Sequence, residues 1–368
     1  IYQRIYAPIL SQKPTAAAES TIKQEEDILN STTNLAGYKQ KAASVLGSLK
    51  KRPTSTGLDD MGIDGEWKDP ALIQDDSEIL DKANQCLVSL EGLEELKYPL
   101  PNLLDTSIAS FGAHVGNQTT CDRCKNHYVL KDILENSDSE ACLYHPQRMI
   151  TLLVNGEKKR TYNCCQDAQE SNGCTRGPHV YKEDDLHILH SKIPFTLAPP
   201  YSPDNKDRRK IVALDCEMGY TTAGMELIRL TVVDDKKKKL LDELALPSHM
   251  VIDLNTKYSG VKTLEGVKHD LRSLKRELFK YVDQDTIIVG HGLENDMCAL
   301  RLIHTNIIDT VNLYPHKMGL PYRNSLRMLS STVAGKLIQQ GSDGHDSMED
   351  AAVCIDILKN YIKNNKNN

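Results

Sequence analysis

Nowhere in the 368 residues is there a run of 18 or more apolar residues, and no basic stretch followed by an apolar core opens the chain. The first absence excludes a membrane-spanning helix, and the second leaves no visible secretory signal. Together they point to an intracellular protein with no membrane partner. Because the chain opens on Ile1, a targeting signal lost with an upstream segment stays open. No internal repeat is visible either. An excess of basic charge is also missing: the formal net charge is −6, so charge alone gives no reason to expect nucleic acid.

What is present is unevenly spread. Residues 1–110 carry 11 Lys+Arg against 17 Asp+Glu, whereas 209–368 carry 22 against 21. A chain of this length implies two or three domains. Residues 1–110 read as a helical region with an acidic linker: helices over 16–30 and 33–52, the turn-rich stretch PTSTGLDDMGIDGEWKDP, and a further helix over about 75–96 before YPLPN. We find no chemistry there. A Cys/His-rich module over 111–185, a linker over 186–206 and a compact domain over 207–368 follow. In the last domain the pattern predicts strands at 211–217, 226–233, 240–246, 286–289 and 306–309, with helices at 268–281, 294–303, 325–334 and 346–361. Three strands followed by alternation with helices indicate an α/β sheet with an antiparallel edge.

Six of the ten cysteines fall in 111–185. The ligand-capable residues are Cys121-x-x-Cys124, Cys142-x-x-His145, Cys164-Cys165, Cys174 and His179. Six thiols and two imidazoles suffice for two closed tetrahedral Zn²⁺ sites, structural rather than catalytic because no position is left for water. Disulfides are disfavoured in an intracellular chain, and simple burial does not account for paired C-x-x-C and C-x-x-H spacing. Order alone does not divide the eight ligands between the ions. CLYHP, NCC and GCTRGPHVY resemble the zinc modules known as CHORD domains, which implies a surface for RNA or a protein partner.

The compact domain holds the chemistry. In IVALDCEMGY, Asp215 and Glu217 continue the row of Ile211 and Ala213, since a strand has a period of two, while Val212, Leu214, Cys216 and Met218 point to the other face. Asp296 heads the helical stripe Ala299, Leu300, Ile303, and Asp350 heads Val353, Cys354, Ile357. Each acid alone would be read as salt-bridged. Four converging on one interior region repel and desolvate at a cost of several kcal/mol. A pair of hard divalent cations, Mg²⁺ or Mn²⁺, relieves that cost. His345, five residues before Asp350, is placed to act as general base toward a metal-bound water.

LDCEM, GHGLENDMCAL, DTVNLYP and HDSMEDA resemble, in order and spacing, the Exo I, II and III motifs of the DEDDh 3'-to-5' exonucleases, and LDCEMGYTTAGMELIRLTVVD with NTKYSGV is similar to the eukaryotic RNA exonucleases of types 1, 3 and 4. The N-terminal helices and cysteine-rich module favour type 3. The resemblance implies a ribonuclease H-like α/β exonuclease domain with a mixed sheet, in which Asp215, Glu217, Asp296 and Asp350 hold two ions and His345 removes the proton. It further implies release of nucleoside 5'-monophosphates from RNA with a free 3' end, in the maturation of small structured RNAs such as RNase MRP RNA and U5 small nuclear RNA. Met218, Tyr258, Ser259 and Gly260 are the implied substrate contacts. The alternatives left open are a DNA 3'-to-5' exonuclease and a scaffold that binds protein partners through the zinc module or the N-terminal helices. KKR at 50–52 and KKKK at 236–239 are weak import signals, so the expected residence is nucleus and cytoplasm.

Overall fold

The computed structural model describes the chain except for residues 33, 56, 59, 65–75, 106–114, 155–156, 169, 340–345 and 366–368. Two compact units divide it, Ile1–Lys82 and Ala83–Asn368.

The first unit is built on the two expected helices, Ala16–Asn30 and Leu35–Lys51, the second started by the Asn34 side chain accepting from the Gly37 N–H. Their apolar sides meet Tyr2, Ile5, Tyr6 and Ile9 in a small core. Part of the stretch read as an acidic linker is folded: Ser55 donates its N–H to the Ile5 carbonyl, and buried Arg52 pairs with Asp60 at 3.1 Å. Arg52 is thereby withdrawn from the basic run at 50–52.

The second unit centres on one seven-stranded mixed sheet. Its strands are β1 (Ile211–Thr221), β2 (Gly224–Asp234), β3 (Lys239–Leu246), β4 (Val251–Asp253), β5 (His269–Asp270), β6 (Ile287–Gly290) and β7 (Ile307–Asp309). The order is β5-β3-β2-β1-β6-β7, with β4 on the far end of β1. β1, β2 and β3 are antiparallel, whereas β6 and β7 run parallel to β1, as expected of an α/β sheet with an antiparallel edge. Lysines 236–238 form the β2–β3 turn, where Asp234 Oδ1 accepts from the Lys236 and Lys238 N–H groups, and Lys239 opens β3.

Period-two alternation divides β1 as anticipated. Val212, Leu214 and Cys216 lie in one core with Leu274 and Leu278 of helix α1 (Leu271–Leu278) and Met297 and Leu300 of helix α2 (Glu294–Leu300), and Met218 packs against it. Helix α3 (Ser347–Asn364) lies against β1, β2 and β6. Its start is pinned by Asp346 accepting from the Met348 N–H and by a Thr231–Ser347 hydroxyl bond of 2.7 Å.

Several boundaries differ from the sequence reading. The helix expected over 75–96 is two, Asp76–Asn84 and Leu90–Glu95, because the intervening chain pairs with the sheet through the Val88 N–H on the Ile307 carbonyl and Ser89 caps the second helix. Val88, Leu93, Leu96 and Tyr98 consequently belong to the main core of the large unit, although the pattern grouped them with the N-terminal helices. The stretch read as a linker over 186–206 contains a helix, Leu186–Lys192, and buries Leu189, Phe195 and Ala198. The expected 294–303 helix stops at Leu300: Arg301 is left-handed (φ 49°), and Leu302–Ile303 pairs with Thr196–Leu197 instead. The segment 325–334 is a single α turn, Leu326–Leu329, continued by a π turn, Ser330–Ala334.

Candidate active site and metal clusters

The acids collect where β1 outruns its neighbour. β6 pairs with β1 only over Ile211–Ala213, so beyond that point the Cys216 N–H has no strand partner. Asp296, from the first turn of α2, fills the gap by accepting that N–H at 2.7 Å through Oδ1. Asp215 and Glu217 lie on the opposite side of β1 from the Leu214–Cys216 core, and Asp350, from the first turn of α3, is 3% exposed. Asp350 Oδ2 accepts from the Gln339 amide at 2.9 Å. Glu217 and Asp296 are also buried.

Their electrostatics agree with their placement. Burial pushes every one of the four carboxyls up, and repulsion from neighbouring acids adds to it: from within the four for Asp215 and Glu217, from Glu294 for Asp296, and from Glu349 and Asp346 for Asp350. Asp215 is raised well above its ordinary value, by burial first and then by Asp296, Glu217 and Asp350. Glu217 is raised to about 8 by burial and Asp350. Asp296 rises to about 8 even though the Cys216 N–H opposes the shift, and Asp350 to about 6. Arg229 stands directly opposite Glu217 in the β1–β2 register. That guanidinium is engaged elsewhere, in a two-toothed pair with Asp242 at 2.8 and 3.2 Å. A cluster of anions whose nearby cation is already committed is a donor set suited to hard divalent ions.

His345 lies outside the described residues. Of the expected substrate contacts, Tyr258 is 48% exposed. Ser259 is buried and spends its hydroxyl on the Leu254 carbonyl (2.8 Å), and Gly260 closes the turn with φ 67°.

Two residues that sequence reasoning passed over shape the site from behind. Asp309, 0% exposed, opens the DTVNLYP motif. It accepts from the N–H groups of Gly292, Leu293 and Val311 and from the Tyr98 hydroxyl at 2.6 Å. It therefore fixes the loop that launches α2 and aims Asp296. A lone aspartate next to an apolar strand end was the available signal, but Tyr98 is 211 positions away and nothing local links the two.

The eight Cys/His residues form two groups, Cys121, Cys124, Cys142, His179 and His145, Cys164, Cys165, Cys174, the ligand atoms of each group lying within 4.8 Å of one another. One short ladder explains the division. Cys142–Tyr144 pairs antiparallel with Thr175–Gly177, which places Cys142 and His179 at one end and His145 and Cys174 at the other. Cys142 and His145 are about 10 Å apart along an extended strand and serve different sites. Cys121 and Cys124 share a tight turn and serve one. Sulfur–sulfur separations of 3.7, 4.0 and 3.5 Å and sulfur–Nδ1 separations of 3.5 Å exclude disulfides and match the roughly 3.8 Å edge of a tetrahedron of thiolates around one ion. His145 gives its other nitrogen to the Ser171 carbonyl at 3.1 Å and stacks on Tyr162, which holds the ring's orientation. Backbone donors bring the Cys121 thiol down to about 6 despite its burial, whereas burial and the neighbouring sulfurs push Cys142 up, and Cys165 rises to about 12.

A mixed sheet with buried carboxylates at the free edge of its central strand defines an α/β domain of the exonuclease class. The curated relatives agree. No family model matches the chain. It is 35% identical over 305 residues to RNA exonuclease 3 of Candida glabrata, covering 78% of this chain and 71% of that one, and 30% identical over 362 residues to RNA exonuclease 3 of Candida albicans, covering 93% and 86%. Against exonuclease GOR of Pan troglodytes it is 34% identical over 289 residues, 75% of this chain, and spans 41% of that relative's length. Among solved structures, the pseudoubiquitin hydrolase-RNA exonuclease module of Saccharomyces cerevisiae Pan2 in complex with A7 RNA matches over 46% of this chain and 31% of that one, at 21% identity and TM-score 0.40. The chain belongs to the RNA exonuclease family that includes RNA exonuclease 3.

Proposed function

We propose that this protein is a metal-dependent 3'-to-5' exoribonuclease that releases nucleoside 5'-monophosphates and trims the 3' ends of small structured RNAs, RNase MRP RNA and U5 small nuclear RNA among them. The observation that carries it is the convergence of Asp215, Glu217, Asp296 and Asp350, each with its proton affinity raised by burial first, and Asp215 further raised by the other three. Relatives named RNA exonucleases support RNA as the substrate.

Asp215, Glu217 and Asp350 would hold one Mg²⁺ or Mn²⁺, and Asp215 with Asp296 the second. Asp296 already gives Oδ1 to the Cys216 N–H, which leaves Oδ2 for a water. Held by these carboxylates, the ions would supply Lewis-acid activation of a water and charge stabilisation at the leaving 3'-oxygen. His345 takes the proton of that water. The two Cys/His groups would each hold a structural Zn²⁺, the ion suited to mixed thiolate and imidazole donors with no position left open.

The test uses single-stranded RNA labelled at its 5' end, with Mg²⁺ as the only added divalent ion. Stepwise shortening from the 3' end with 5'-mononucleotides as products is the expected result. Asp215→Ala and Asp350→Ala should lose it while staying folded, and His345→Ala should retain ion binding but turn over about 100-fold more slowly or worse. Undiminished shortening in both aspartate variants would refute the assignment.

A further inference from the structure

We propose that Arg123, in the turn between two cysteines of the first Cys/His cluster, is a positioning residue for the active-site cleft, so that the cluster sets how tightly the terminal nucleotide of the substrate is held. The inference rests on the exonuclease reading of the carboxylate site.

A space of about 510 Å³ lies between Arg229, Asp242 and Glu243 on one wall and Gly260 to Thr263 on the other. Arg229, which lines this space, stands opposite Glu217 in the β1–β2 register and is its link to the carboxylates, none of which lines it. Its far wall continues a loop seated directly on β1: β4 pairs with β1 at Tyr220 and Thr221, and a Cβ at Gly219 would come within 3.3 Å of the Asp253 carbonyl oxygen. Position 219, two residues past Glu217, is left without a side chain where the loop approaches.

The loop's shape traces back to one carboxylate. Asp253 Oδ1 accepts from the Asn255 N–H at 2.7 Å and thereby supports Asn255 in a left-handed conformation (φ 54°). The Asn255 carbonyl then accepts from the N–H groups of Tyr258 (2.8 Å) and Ser259 (3.0 Å), folding the one-turn helix that presents Tyr258 and ends at Gly260.

The other oxygen of Asp253 is held by Arg123, whose Nη2 donates to Oδ2 at 2.5 Å. The same guanidinium lies 4.7 Å from the centre of the Tyr144 ring and 5.4 Å from that of Tyr220. Tyr144 stands between the ligands Cys142 and His145, and Tyr220 is in β1. Only a planar, always-charged group can stack on two rings and pair with a carboxylate at once; a lysine ammonium cannot. A second tie runs from Lys257 Nζ to the carbonyl of Pro146, next to His145. The Cys121–Cys124 turn thus reaches the cleft through Arg123, Asp253 and Asn255 in sequence.

The experiment compares the full chain with R123A, R123K, D253N and the R123A/D253N pair. Three quantities are read: kcat and KM for removal of the first nucleotide from a short single-stranded RNA, hydrogen–deuterium exchange over residues 253–261 without added Mg²⁺, and zinc bound per chain. Each single variant should raise KM about tenfold, the usual cost of a loosened wall, with kcat changed less than about twofold. Exchange over 253–261 should quicken, zinc content should stay at the parent value, R123K should fail to restore KM, and the double variant should be no worse than either single. Unchanged KM and exchange in R123A and D253N, or fully additive effects in the pair, would overturn the proposal. If R123A loses zinc, D253N, which lies outside the module, carries the test alone. A parent chain that removes no nucleotide would sink the exonuclease reading, and the exchange data would still decide whether the clamp exists.

Discussion

At the scale of single residues, what distinguishes this site is that its side chains are individually unfavourable. Each of the four acids is costlier to ionise in the folded chain than in the unfolded one, with burial the first cause in every case. Asp309 differs from them in its contacts, with three N–H donors and a phenol converging on it. Replacing it with alanine strands those donors in the interior, and we expect a loss of about 3 kcal/mol by urea unfolding. An Asp309→Asn exchange keeps an acceptor and should cost less. A result in which Ala and Asn behave alike would show that Asp309 does not organise the loop. The proximity of Asp215 to Glu217 was legible from strand periodicity alone. The Asp309–Tyr98 bond was not, because it joins residues that share no local pattern.

At the scale of elements, the ligand spacing acquires meaning only through the conformation that carries it. C-x-x-C in a turn brings two sulfurs into one Cys/His group; C-x-x-H on a strand sends its two residues to separate groups. Gly173 shows how close this packing is. A Cβ there would lie 2.5 Å from the Tyr144 nitrogen and 2.8 Å from its Cα, and the residue adopts φ 148°. Gly173→Ala should therefore displace Cys174 from His145, Cys164 and Cys165. We expect one of the two ions to be lost, with Cys164, Cys165 and Cys174 becoming reactive toward a thiol reagent while the first cluster stays protected. Retention of both ions in that variant would contradict the packing. Helix ends were the weakest part of the sequence reading for a related reason. Ile303 continues the apolar stripe of α2, yet Arg301 turns left-handed and the chain joins a strand supplied by Thr196–Leu197, a partner more than 100 positions away.

For the molecule as a whole, the carboxylate cluster couples stability to pH. An acid whose folded-state pKa is raised keeps its proton after the unfolded chain has released its own, so its contribution to stability is complete below the unfolded value and declines as pH rises. With Glu217 and Asp296 at about 8 and Asp350 at about 6, the metal-free protein should lose thermal stability steadily from about pH 4.5 to pH 8. Mg²⁺ or Mn²⁺ should raise the melting temperature at pH 8 and have little effect at pH 5, where protons occupy the same oxygens. Asp350→Asn should raise the metal-free midpoint at pH 8, by roughly 2–4 °C for each kcal/mol of repulsion removed, and abolish the response to added ions. Calorimetry across that range checks all three, and a flat stability profile from pH 5 to pH 8 would show that folding does not raise the proton affinity of these acids.

By itself the sequence determined which residue types could do chemistry and which faces they occupy. The strand and helix periods place Asp215, Glu217, Asp296 and Asp350 on inward sides, and eight sulfur and nitrogen donors in 59 residues imply two ions, because both conclusions follow from contacts within a few positions. Tertiary structure alone decided how the eight donors divide, that Val88 to Tyr98 completes the core of the large unit, and that Arg123 reaches Asp253. Those outcomes join residues tens to hundreds of positions apart, and the free energy that selects them is the burial and pairing of surfaces that local sequence does not encode.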